Sequence, residues 1–157
     1  MPVHTENHGV ADSMKRLPLD GVHVLECGDG VAAAFAAKLM ALLGAEVIKV
    51  ESPQGDSTRG RGPFFDDRVD PDASGLFLYL NADKSSITLD LRAASDRAKL
   101  DELLAAADIL IHNIPLRERA SMQMESAALH AGHPDLIVTG ISAYGDQGRA
   151  RTGAHTN

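Results

Sequence analysis

Residues 21–51, GVHVLECGDGVAAAFAAKLMALLGAEVIKVE, constrain the fold of this chain more than any other stretch. Residues 22–27 are a short apolar run, Gly28, Asp29 and Gly30 supply a turn, residues 32–43 repeat apolar side chains at helical spacing, and residues 47–50 form a second apolar run. The pattern predicts strand, turn, helix and strand. Phe35, Leu39, Leu42 and Leu43 stand at i, i+4, i+7 and i+8, so one stripe is expected to bury against a sheet, while the alanines between them let helix and sheet approach closely. A crossover this short joins parallel strands with a right-handed connection. Ligands of such sheets bind at the carboxyl ends of the strands, which puts residues 28–32 in the expected ligand zone.

The remaining chain continues the alternation. Residues 1–17 are polar and aperiodic and read as a flexible lead, and residues 52–74, rich in proline and acidic side chains, read as a long loop. A short apolar segment over 75–80 precedes a turn at Asn81, Ala82, Asp83 and Lys84, then a strand over 87–91. Leu100, Leu103 and Leu104 give a helix over 93–107 its apolar face. Residues 109–111 predict a strand, 118–131 a weaker helix ending near Gly132, and 136–141 a buried strand. Five strands alternating with helices define an α/β fold, a Rossmann-like open parallel sheet with flanking helices.

Composition narrows the function. With 157 residues, 44% apolar and 4% aromatic, the chain is long enough for one domain with a real core. A net charge of -7, with both signs mixed along the chain, argues against a basic nucleic-acid-binding face. No apolar run approaches the roughly 20 residues that cross a bilayer, and residues 1–16 lack the apolar core of a secretion signal, so the expected compartment is the cytoplasm. Cys27, inside a strand, reads as a small buried hydrophobe.

Several motifs carry chemistry. Residues 28–33, GDGVAA, satisfy G-x-G-x-x-A, and Glu51 ends the second strand where a ribose-binding acid would stand, which suggests an NAD(P)-dependent oxidoreductase. Arg59 and Arg61 lie on a glycine-rich loop, chemistry suited to phosphate or carboxylate. Lys84 sits in a turn after the short apolar segment. His130 and His133 have metal-like spacing without a companion Cys or carboxylate cluster, so no metal site is expected, and His23 reads as a partly buried strand residue.

Taken in order, PLDGVHVLE, LLGAEVIKVESPQGDSTRGRGPF, LNADKSSITLDL, ADILIHN and ISAYGDQG resemble the N-terminal half of family III CoA-transferases. The similarity runs from about Pro18 to Gly148. It implies a CoA-binding Rossmann-like domain over 18–148, preceded by the lead and followed by a loop over 149–157 at a truncation point, short of the two-domain family fold. It implies that the first turn, Asp29, Gly30, Val31 and Ala32, packs beside CoA, with Asp29 where relatives carry a basic or histidine residue. Arg59, Lys84 in the N-x-N-K-x-S-like motif and Asn113 in the E-N-F-like motif are carried over as CoA-binding, as is an arginine after Asn113 that is Arg117 or Arg119.

The family's nucleophile is an aspartate that attacks a thioester through an acyl anhydride and an aspartyl-CoA thioester. Counting forward from ISAYGDQG places Asn157 there, and an amide does not form the anhydride by that route. The resemblance therefore implies the CoA-binding part of an acyl-CoA:carboxylate CoA-transferase, with a CoA thioester as substrate and no covalently bound cofactor. It also implies acyl-CoA and a carboxylic acid as partners, and a homodimer or a separate chain supplying a second half. A non-catalytic CoA-binding or interaction module is the remaining alternative.

Overall fold

A computed structural model of the chain describes residues 16–145. Five strands, β1 (His23–Cys27), β2 (Glu46–Glu51), β3 (Ser85–Thr88), β4 (Ile109–His112) and β5 (Ile137–Gly140), form one sheet of order β3-β2-β1-β4-β5. Every neighbouring pair is parallel. The helices are α1 (Val31–Leu42), α2 (Gly75–Asn81), α3 (Ala94–Ala106), α4 (Leu116–Arg119) and α5 (Ser126–Gly132). The order reverses between β1 and β4, and such a switch point leaves a crevice between the turns that follow the two strands.

Alternation along the strands divides the core. Val24, Val47 and Ile111 point to the face that α1 covers with Ala33 and Ala37. Leu25, Cys27, Val50 and Leu110 point to the other face, against Leu100 and Leu104 of α3 and Leu129 of α5. The stripe expected to bury does not. Phe35, Leu39, Leu42 and Leu43 are 41 to 53% exposed, whereas Ala33, Ala34 and Ala37 are at most 1% exposed. The inward face of α1 consists of small side chains because it lies close on the sheet, and the bulky stripe points away.

Four other expectations are corrected. The third strand begins at Ser85 rather than residue 87, because its ladder with β2 starts at the Ile48 and Ser85 pair, and it ends at Thr88. The weak helix over 118–131 is two helices, α4 and α5, separated by a turn in which Gln123 takes φ 52. The long loop over 52–74 is partly regular: 3-10 turns span Ser57–Gly60 and Phe65–Asp67, and Asp56, Thr58 and Ser74 are buried. The apolar segment over 75–80 is α2, capped by Ser74, whose Oγ accepts the Phe77 N–H at 3.2 Å. His23 is exposed, at the open amino end of β1 beside Asp108 and Glu46.

Candidate functional site

A cleft of about 560 Å³ opens at the carboxyl edge of the sheet. Its floor is the turn after β1, Cys27, Gly28 and Asp29; its walls are the ends of β2 and β3 and the segment Asn113, Ile114 and Pro115 after β4. Asn113 clamps the floor. Its Oδ1 accepts the Asp29 N–H at 2.9 Å, and its Nδ2 donates to the Asp29 carbonyl at 2.6 Å. A Cβ on Gly28 would stand 2.4 Å from the Ala33 Cβ and 2.8 Å from the Asn113 Oδ1, so only glycine admits both neighbours. Gly30, at φ 75, starts α1. The Asp29 carboxylate accepts the Ser57 N–H at 2.7 Å, fastening the loop after β2 to the same turn.

Behind this floor lies a buried ionic cluster. Glu26 and Lys49 are register partners on β1 and β2. The Lys49 ammonium lies 2.7 Å from Glu26 Oε1, 2.8 Å from Asp56 Oδ2 and 3.3 Å from the Gly28 carbonyl. Lys84 completes the other side: its Nζ lies 2.7 Å from Glu26 Oε2, 2.8 Å from the Ala34 carbonyl and 3.0 Å from Asn81 Oδ1. Burial alone would push Lys49 down, but Glu26 and Asp56 hold its pKa above the ordinary lysine value. At Lys84 burial outweighs the attraction of Glu26, and the pKa falls. At Asp56 the burial penalty is overcome by the Lys49 and Thr58 bonds, leaving the carboxyl below its usual range.

A second pair braces the loop. Arg59 grips Glu51 through Nε at 2.7 Å and through NH2 at 2.9 Å, reaches Asp72 at 3.2 Å, and stacks 3.6 Å from the Phe77 ring centroid. The Arg59 bonds hold the Glu51 carboxyl below its ordinary value. Cys27 is buried and its thiol is pushed up to about 12, first by burial and then by Glu26, so it remains a neutral packing side chain.

Asp29 and Asn113 therefore meet in the cleft, with Gly30, Val31 and Ala32 following at the first turn of α1. Arg59 and Lys84 stand behind the walls in ion pairs. The two arginines after Asn113 separate cleanly. Arg117 is 82% exposed beside Glu118, whereas Arg119 is buried and donates from Nε to the Ile114 carbonyl at 2.9 Å. Asn157 lies outside the described residues. Glu26, Lys49 and Asp56 were not singled out as site residues; for Glu26 and Lys49 the available signal was a charged residue inside each of two otherwise apolar strands. Among the described residues, no group of three or more His, Cys, Asp or Glu side chains is arranged to hold a metal, and no helix is long and apolar enough to cross a membrane.

An open parallel sheet flanked by helices, with a glycine-floored cleft at its switch point, defines a Rossmann-like α/β protein. The pattern of CoA-transferase family III matches residues 19–155, and the chain belongs to that family. It is 33% identical over 128 residues to the succinyl-CoA:mesaconate CoA-transferase of Haloarcula hispanica, covering 82% of this chain and 32% of that protein. It is also 33% identical over 137 residues to the succinate–glutarate CoA-transferase of Agrobacterium fabrum, covering 85% and 34%. The crystal structure of a CAIB/BAIF family protein from Brucella suis superimposes with a TM-score of 0.79 at 34% identity, covering 89% of this chain and 37% of that one. The chain spans about a third of the length of the relatives it matches.

Proposed function

We propose that this chain is the N-terminal, CoA-binding part of an acyl-CoA:carboxylate CoA-transferase, working in the cytoplasm over a domain of residues 18–148. The observation that carries this reading is the Asn113 clamp, which holds the turn at Asp29 open as the floor of a cleft in a family whose named members transfer CoA. Asp29, Gly30, Val31, Ala32, Asn113 and Arg117 are its proposed contacts with the CoA thioester. Arg59 and Lys84 act through Glu51 and Glu26, keeping the walls in place. Asn157 occupies the nucleophile position, so the proposed share of this chain in the reaction is to hold and orient the thioester, while a carboxylate from elsewhere attacks it.

The acyl-CoA and carboxylic acid reach a site completed by a second copy or a separate chain. The exposed stripe of Phe35, Leu39, Leu42 and Leu43 supports such a partner, because a helix apolar on both sides is normally covered on both. A nicotinamide dinucleotide is disfavoured because both Glu51 oxygens are already engaged by Arg59. Titrating the purified chain with CoA and NADH by calorimetry tests the reading. CoA is expected to bind more tightly, and tighter NADH binding would overturn it.

A further inference from the structure

The cleft is poor in positive charge. Among the described residues that line it, Asp29, Glu51, Asp56, Asp90 and Glu118 are acidic and Arg92 is the one base. Glu51 and Asp56 are paired with Arg59 and Lys49, which do not line the cavity. Asp29 and Asp90 accept backbone N–H groups, from Ser57 at 2.7 Å and from Arg92 at 2.9 Å. A ligand that carries several phosphates meets carboxylates along most of the wall. It finds a guanidinium only at the mouth, where the loop after β3 faces α4.

We propose that Arg92, steadied by Glu118, is the side chain through which this cleft recognises phosphate, with Arg117 as a second guanidinium on the far side of the same carboxylate. The assignment rests on the CoA reading given above. Arg92 NH2 lies 2.6 Å from Glu118 Oε2, and Arg117 NH2 lies 3.4 Å from Glu118 Oε1, so one carboxylate orients two cations. Arg92 is 58% exposed, which leaves its head accessible to a ligand entering from solvent. Its backbone N–H donates to Asp90 Oδ1 at 2.9 Å, which holds the turn that carries it. A guanidinium has five N–H donors, and Glu118 takes one of those on Arg92, so a phosphate oxygen pair can engage another edge without displacing the carboxylate. Arg92 and Arg117 offset Glu118 and Asp90 there, so the mouth is less acidic than the interior. The acidic interior would then receive the uncharged parts of the ligand.

Calorimetric titration of the full chain with CoA, ADP and pantetheine tests this. Arg92→Gln is expected to weaken CoA and ADP about tenfold, the loss of one charge-assisted hydrogen-bonded contact, and to leave pantetheine unchanged. Arg92→Lys, which keeps the charge but not the planar fork, is expected to lose part of that affinity, and it serves as the readout if the Gln variant fails to fold. Unchanged CoA and ADP binding in these variants would overturn the assignment. So would an equal loss for pantetheine, since Arg92 would then be shaping the cleft rather than reading phosphate. A wild-type chain that binds ADP but not CoA would overturn the CoA reading and leave Arg92 as the phosphate residue. Binding neither would overturn both.

Discussion

Where α1 covers the sheet, the buried contacts come from Val24, Ala33, Ala37, Ala45, Val47 and Ile111; on the opposite face they come from Leu25, Leu100, Leu104, Leu110, Met124, Leu129 and Leu136. Half of the first set is alanine, which gains little transfer energy per residue. The second is large and supplies most of the hydrophobic stabilisation. The α1 face also holds the Glu26, Lys49 and Lys84 charges, next to the turn that floors the cleft. One face thus stabilises the domain, and the other holds helix, turn and strand at the spacing that the site requires.

Three substitutions can break or sharpen this contrast. Leu110→Ala, at a fully buried position on the large-residue face, is expected to cost about 2–5 kcal/mol in denaturant unfolding without changing ligand affinity in the folded protein. A cost under about 1 kcal/mol would erase the energetic asymmetry between the faces. Ala37→Leu inserts volume where α1 meets the sheet with no exposed surface. It is expected to cost about 1–3 kcal/mol and also to weaken CoA binding in calorimetry, because α1 and its first turn move together. Lost stability with intact binding would separate helix packing from the cleft. Leu39→Ser, on the outward stripe, is expected to change stability by less than about 0.5 kcal/mol while lowering self-association in light scattering. A loss above 1 kcal/mol would show that the stripe packs within the chain.

The opening unit was legible in the sequence because its signals are local. A β-branched run, a Gly-Asp-Gly turn and helical periodicity specify strand, turn, helix and strand within thirty-odd residues, and β1, α1 and β2 stand there. The orientation of α1 was not legible from hydrophobicity, since the largest apolar side chains mark a stripe by size while close packing on a sheet selects the smallest. Ala33, Ala37 and Ala41, at i, i+4 and i+8, were the competing stripe. The ordered motifs singled out Asn113 and the first turn, and the structure brings Asn113 and Asp29 together in the cleft. The grouping of Lys84, itself singled out by its motif, with Glu26, Lys49 and Asp56 was not legible, because these residues are brought together by the β1 and β2 register and by a loop that folds back on it. Arg92 became visible only once the cleft showed which charges face inward.

The Asn113 clamp has a consequence for biosynthesis. Its two bonds to Asp29 join residues 84 apart in the chain, so the floor of the cleft cannot be fastened until β4 has left the ribosome and paired with β1. The glycine turn that starts the domain is made early and becomes the floor of a cleft late. A nascent chain that stops anywhere before residue 113 carries the motif without the pocket.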